Sequence, residues 1–333
     1  MKTIRYPRLP SAIDPAHYPY IAANWKSSAE TLEKLNSTLT QKIDQEHLAI
    51  AVAGSLGRLD ASPDLSDFDY LLLINDKGID ANKVDAAIRE VAKELALTTP
   101  NPIGAFAKPI LVQELIEKAG SAEDDLFISA KRLLLLMESK PIYNELEFKN
   151  ILNRILDRYL RRVDEDRSRE PLFLLNDIIR YFRGICVNYE FNFWKQNQKW
   201  GLRYIKLLHS RILMYSGLLF LTLNSSKPSH AATKRDYILA HVELTPMEKL
   251  VHVYQDNDDS SFNYLLSIYN LFLMKMNDPI ARSQLDVEFE ERHRIPVYQE
   301  LRVSGDALRK ELMRFVFSRR GVWSDNILEY LIF

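Results

Sequence analysis

The sequence predicts an α+β chain, with a small mixed sheet and its helices in the first 145 residues and an all-α helical bundle after them. Two observations carry this expectation. Short apolar runs of strand type alternate with helical periodicities through the first part, which argues for a small mixed α/β sheet. From about residue 122 onward the pattern is almost wholly helical, with only Gly184, Gly201, Gly217, Gly305 and Gly321 to interrupt it.

Residues 1–20 carry Pro7, Pro10, Pro15 and Pro19 and read as an extended arm. A helix is expected over 28–46, opened by a capping box of Ser27 and Glu30, with Leu32, Leu35, Leu39 and Ile43 at helical spacing. Leu48 to Ala53 is a short apolar run of strand type. A turn at Gly54-Ser55 follows it, and a second apolar run, Tyr70 to Ile74, reads as the next strand. A second helix covers 80–96, with Val84, Ala87, Ile88, Val91 and Leu95 on one face. Ile103 to Val112 reads as a further strand region, Ala130 to Leu136 as a helix, and Lys140 to Asn144 as its exit. Helices are then expected over 147–164, 170–196, 200–223, 232–241, 245–256, 261–276 and 303–318. The domain expectation is an arm at 1–20, a mixed-sheet domain at 21–145 and a helical domain at 146–333.

Composition narrows the function. A hydrophobic content of 47% is that of a globular chain, and 333 residues suffice for one large or two ordinary domains. The formal charge of −1 argues against a strongly basic nucleic-acid surface, so nucleic acid is not a favoured partner. Cys186 is the only cysteine, so a thiolate cluster or disulfide framework within the chain is excluded, and it reads as a buried structural thiol. The N-terminus lacks the apolar core of a signal peptide, and the run Ile212 to Leu223 is too short to span a bilayer. The expected setting is cytoplasmic, with no membrane partner.

The chemistry is concentrated in Val52-Ala53-Gly54-Ser55-Leu56-Gly57-Arg58 and in Ser66-Asp67-Phe68-Asp69-Tyr70. Gly54 and Ser55 let the backbone turn closely around a phosphate, with main-chain N–H groups and the Ser55 hydroxyl as donors, and Gly57 keeps the turn open. Asp67 and Asp69 are two apart, so on a strand their carboxylates share one face while Phe68 and Tyr70 take the other. Like charges so placed repel unless cations lie between them, and hard divalent ions prefer oxygen ligands and bridge to phosphates. Arg58 is positioned in sequence to neutralise triphosphate charge.

These residues resemble the motif of the nucleotidyltransferase superfamily that includes DNA polymerase β. The fuller form, with Asp60 after Gly-Ser-x-Gly-Arg and Ser66 before Asp67, is more similar to the branch holding the protein-PII uridylyltransferases and the glutamine-synthetase adenylyltransferases. That branch also includes a domain-of-unknown-function family of bacterial nucleotidyltransferases. The resemblance extends to Asp124-Asp125-Leu126 and the helix Ala130 to Leu136, and to Leu175–Tyr181 and Trp200–Tyr204 of the helical part.

The resemblance implies a nucleotidyltransferase domain followed by a helical substrate-binding domain. It also implies two Mg²⁺ or Mn²⁺ ions with an NTP, and transfer of a nucleoside monophosphate to an acceptor hydroxyl on a protein or small molecule. Asp67 and Asp69 would hold the metals, and Gly54, Ser55, Gly57, Arg58 and Ser66 the nucleotide. The superfamily usually adds a third carboxylate on a later strand. Ile103 to Val112 contains no acid, so Glu114 is the nearest candidate, Asp124 and Asp125 follow it, and Asn101 stands where the uridylyltransferases carry an aspartate. Without that acid, the alternative is a degenerate nucleotide-binding regulatory module.

In the helical part, Asn176, Asp177 and Arg180 cluster polar groups within one turn of an apolar helix and are the substrate-cleft candidates there. The other basic and aromatic residues of this stretch, such as Lys199, Trp200 and Tyr204, read as an ordinary amphipathic pair with solvated charges. Arg235 and His241 loosely match the spacing of a ribonuclease-toxin motif, but a surface helix is the favoured reading. Asp256 to Asp259 lacks the glycine and glutamate of a calcium loop, having Ser261 and Ser267 there, and reads as a solvated turn with Ser260 or Ser261 as N-cap.

Overall fold

The computed structural model describes residues 4–63, 67–99, 106, 108–194, 200–227, 229, 234–286 and 290–331. It is a mixed α/β protein, mostly helical, with one small sheet, and its chain divides into two compact units. The first unit holds residues 1–9 and 23–162, and the second holds 10–22 and 163–333. The division lies within the helix Glu145–Glu165, one helix beyond the 145/146 boundary expected from sequence.

In the first unit α1 spans Pro19–Lys42, beginning nine residues ahead of expectation and ending four earlier. Ile21, Trp25 and Ser28 continue the buried stripe of Leu32, Leu35 and Leu39 backwards, and proline is tolerated in a helix's first turn. Ser27 therefore lies inside the helix, where its carbonyl accepts from the Thr31 hydroxyl, and there is no capping box at this point.

Strand β1 (Leu48–Val52) leads into a single helical turn, α2 (Gly54–Arg58), and then to β2 (Tyr70–Ile74). Helix α3 (Ala81–Glu94) is capped by the Asp80 carboxylate, which accepts from the N–H groups of Asn82 and Lys83. It ends with Leu97 N–H on Ala92 O and Ala96 N–H on Lys93 O, a Schellman closure with Ala96 in the left-handed region at φ +54°. Then come β3 (Ile110–Leu111), α4 (Val112–Glu117), α5 (Leu126–Met137), β4 (Lys140–Tyr143) and α6 (Glu145–Glu165). Of the strand region expected at Ile103 to Val112, Ile110 and Leu111 pair, while 103–105 and 107 lie outside the described residues. Lys140 to Tyr143 forms a strand rather than a helix exit.

The sheet order is β3-β2-β1-β4. β1 is antiparallel to both β2 and β4, while β2 and β3 are parallel. Every residue of β1 and β2 is buried, which explains why both read as continuous apolar runs. One face, formed by Leu48, Ile50 and Val52 with Phe68, Tyr70, Leu72 and Ile74, packs in a common core with Trp25, Leu32, Leu35 and Leu39 of α1 and Val84, Ile88 and Val91 of α3.

The second unit contains α7 (Leu172–Trp194), α8 (Trp200–Lys206), α9 (Ile212–Asn224), α10 (Lys234–His241), α11 (Pro246–Gln255), α12 (Phe262–Asn277), α13 (Pro279–Gln284), α14 (Pro296–Ser318) and α15 (Asp325–Glu329). Its segment 10–22 is tied in through the Tyr20 and Ile21 N–H groups, which donate to Asn270 Oδ1. The single helix expected over 200–223 is instead α8 and α9 joined by a π-helical turn at Leu207–Arg211. That turn seats His209 among buried groups, where Nδ1 meets Ile205 O and Nε2 meets Ser304 Oγ. α14 starts seven residues before the expected 303, because Pro296 opens it. Ser261 does not cap α12 through its side chain, which is engaged by Asp259 and Glu311. Cys186 is half-buried, and burial raises its thiol above the ordinary value. Among the described residues no helix is long and apolar enough to cross a membrane.

Candidate functional site

The pairing of β1 with β2 brings the two halves of the motif together. It continues one step past the strands, where Ala53 N–H donates to Asp69 O at 2.9 Å, so the chain enters α2 directly beside the aspartate. Gly54 has φ +66°, and a Cβ there would lie 2.8 Å from Asp69 Oδ2. Only glycine leaves room for that carboxylate and adopts that backbone without strain. At Gly57 a Cβ would sit 2.3 Å from Glu138 O and 2.6 Å from Val52 O, so α2 lies flat against backbone on two sides.

Phe68 is fully buried in the core shared with α1 and α3, and its ring lies 5.2 Å from that of Tyr70. Alternation along the strand then directs Asp67 and Asp69 to the opposite side. Asp67 is exposed, and Asp69 and Ser55 are half-buried. Asp69 lies against the Gly54 turn. Asp67 forms a bridge with Thr98, and Phe68 N–H donates to Thr98 O at 2.7 Å.

Glu138, in the connection from α5 to β4, was not anticipated and organises the turn from beneath. One carboxylate oxygen accepts from Gly54 N–H at 3.0 Å and the other from Arg58 Nη1 at 2.6 Å, with the side chain fully buried. Arg58 Nε also donates to Asp60 Oδ2 at 2.9 Å. With its side chain only 7% exposed and held by two carboxylates, Arg58 is committed inside the fold. This corrects the expectation that its guanidinium offsets phosphate charge, and the Gly54 N–H likewise already has an acceptor. The one trace of Glu138 in the sequence is a lone acid closing the apolar run Leu133 to Met137.

Glu114 does not join the aspartates. β3 runs parallel to β2 with Ile110 opposite Leu73, four residues beyond Asp69, which at about 3.3 Å per residue separates them by roughly 13 Å. α4 begins past the far end of that pairing, and Glu114 is paired there with Lys118 at 3.1 Å. Asp124 is buried against Arg132 at 2.7 Å, and Asp125 caps α5 by accepting from Ile128 N–H. The neighbour of Asp67 across the bridge is Thr98, and Ser66 and Asn101 lie outside the described residues. Among the described residues, no group of three or more His, Cys, Asp or Glu side chains is arranged to hold a metal ion.

In the second unit, Asp177 is buried and pairs with the exposed Arg180 at 2.7 Å, whereas Asn176 is exposed. Asp177 and Arg180 thus form an ion pair one helical turn apart. Arg235 is paired with Asp164 at 2.6 Å, and the His241 ring stacks on His252 at 4.0 Å. Asp256 lies by Lys227, and Asp259 by Arg314 and Ser261.

No family model matches this sequence, and no curated protein is similar to it.

Proposed function

We propose that the chain is a metal-dependent nucleotidyltransferase, with its catalytic groups in residues 21–145 and an acceptor-gripping helical part in 146–333. The observation that carries this reading is the contact between the Gly54 turn and the Asp69 carboxylate, with the exposed Asp67 two residues before it. Two hard-oxygen donors beside a half-exposed Ser55 hydroxyl suit Mg²⁺ or Mn²⁺ and a phosphate chain. When bound, the ions would offset charge on the transferred phosphate and the departing pyrophosphate.

The protein's own groups do the rest. Asp67 and Asp69 hold the ions, and Ser55 donates its hydroxyl to a phosphate oxygen. The acceptor oxygen forms a bond to the α-phosphorus as the bond to the bridging oxygen of the β-phosphate breaks. Pyrophosphate leaves with that electron pair, and the acceptor proton passes to solvent water. Arg58 and Glu138 act by fixing the turn, so positioning supplies much of the rate. A cytoplasmic setting accords with an NTP substrate.

A second reading, a nucleotide-binding module without turnover, is favoured by Thr98 standing beside Asp67 and by the remoteness of Glu114. The test is pyrophosphate release from each of the four NTPs with Mg²⁺ or Mn²⁺ in cell extract, tracking an α-phosphate label. The native chain should transfer label and the Asp67→Asn/Asp69→Asn variant should not. NTP binding with no transfer by the native chain would select the second reading.

A further inference from the structure

We propose that a cleft between α1 and the segment closing α3 binds a neutral small molecule rich in hydroxyl groups, a free sugar or a nucleoside. The cleft has a volume of about 340 Å³ and is lined by α1, the end of α2 with the segment after it, and the segment closing α3. All of these belong to the first unit. Its lining includes Thr98, whose backbone bridges Asp67, so the cleft borders the carboxylate site, while its other walls come from α1, α2 and the end of α3. Its volume is that of a site for a single small ligand, which excludes a polymer threading through it.

The lining defines the ligand. Ser27, Ser28, Thr31, Ser62 and Thr98 place five hydroxyls around it. Ser62 is 6% exposed, and its hydroxyl makes no hydrogen bond among the described residues. A hydroxyl at a cavity wall with no partner in the protein is available to bond a ligand in the cavity. Ser28, 1% exposed, accepts from Ala61 N–H at 3.2 Å, and its own proton has no acceptor among the described residues. Thr31 donates to Ser27 O at 2.9 Å, which leaves its oxygen to accept. The cleft therefore offers both donors and acceptors at short range, the pattern that matches vicinal hydroxyls.

Charge excludes the alternatives. Among the described residues, the charged members of the lining are Glu30 and Lys34, both exposed and of opposite sign, so neither a polyphosphate nor a polyamine is favoured. Leu56 and Leu97 supply apolar surface for a ring face, and none of the described lining residues is aromatic.

The experiment is saturation-transfer NMR on the full chain without metal or NTP, using D-ribose, D-glucose, adenosine and uridine, with pyrophosphate and spermidine as charged probes. At least one neutral probe should bind. Signal from the sugars alone identifies a sugar site, and signal from the nucleosides alone identifies a nucleoside site. Ser62→Ala should weaken that binding about tenfold, the worth of one hydrogen bond. Ser27→Trp, at a half-buried position on α1, should fill the cleft and abolish binding while leaving the circular dichroism spectrum unchanged. The proposal is overturned if no neutral probe binds, if only the charged probes bind, or if both variants bind as the native chain does.

Discussion

Replacing Arg58 with methionine separates two roles for this residue. The guanidinium is 7% exposed and lies between Glu138, whose side chain is fully buried, and Asp60, whose side chain is 10% exposed. Methionine preserves most of the stem and removes the charge, leaving the carboxylates of Glu138 and Asp60 without their cation. Breaking a buried pair in this way costs about 3–5 kcal/mol, a large part of a stability of roughly 5–15 kcal/mol. Glu138→Gln leaves the guanidinium with Asp60 and should cost less, about 1.5–3 kcal/mol, the worth of one hydrogen bond to a charged group. Arg58→Met/Glu138→Gln removes both charges, so its loss should fall short of the summed single losses by on the order of 2 kcal/mol.

The loss in Arg58→Met should also be smaller at pH 5 than at pH 8, since a proton can neutralise a stranded carboxylate. Urea titration read by hydrogen–deuterium exchange over β1 and β2 reports on the first unit alone. A loss for Arg58→Met under about 1 kcal/mol, with additive single variants, would refute the argument and return the guanidinium to phosphate binding.

Two further outcomes follow from single residues. Ala96 closes α3 with φ +54°, a conformation that costs a side-chain-bearing residue about 1–2 kcal/mol, whereas glycine's added freedom in the unfolded chain costs about 0.5–1 kcal/mol. Ala96→Gly should therefore stabilise the protein by about 0.5 kcal/mol, and a lower urea midpoint for the variant would contradict this. His209 is held neutral by burial, which outweighs its hydrogen bond to Ile205 O and lowers its pKa from 6.5 to about 4. Its contribution is complete above pH 6.5 and is lost as pH falls toward 4, by at most about 3 kcal/mol. Urea unfolding at pH 7.5, 6 and 5 should show a shallower pH dependence in His209→Gln, and equal slopes in the two proteins would count against it.

Most of the helices and both central strands were legible because their signals are local. The buried stripe Leu32, Leu35, Leu39 marks α1, and the continuous apolar runs mark β1 and β2. Boundaries failed where a local signal had two readings. Ser27 and Glu30 match a capping box, yet Ile21 and Trp25 extend the helix past them, because burying two large side chains outweighs one cap. Lys140 to Tyr143 carries no alternation, since all four residues are buried, so pairing with β1 alone reveals it as a strand. The π turn at Leu207–Arg211 breaks no hydrophobic pattern, and its cause is tertiary, the docking of His209 against Ser304.

The candidate site divides in the same way. Gly54, Asp67 and Asp69 could be chosen from sequence because the required geometry is encoded within each short segment, as a left-handed glycine and a two-residue repeat. What holds them is not local: Glu138 stands 84 residues from Gly54 and meets it only because β4 pairs with β1. An arginine next to a glycine-serine turn looks the same in sequence whether it faces a phosphate or a buried carboxylate, and the carboxylate decides which. Glu138 therefore turns Arg58 from a ligand group into part of the frame. The charge facing any phosphate at this turn must then come from bound cations or from residues elsewhere in the chain, with the Ser55 hydroxyl as a neutral donor. On the proposed reading, a site so arranged would depend on bound metal ions more than the sequence alone suggests, and Asp67 and Asp69 would be the decisive positions for activity.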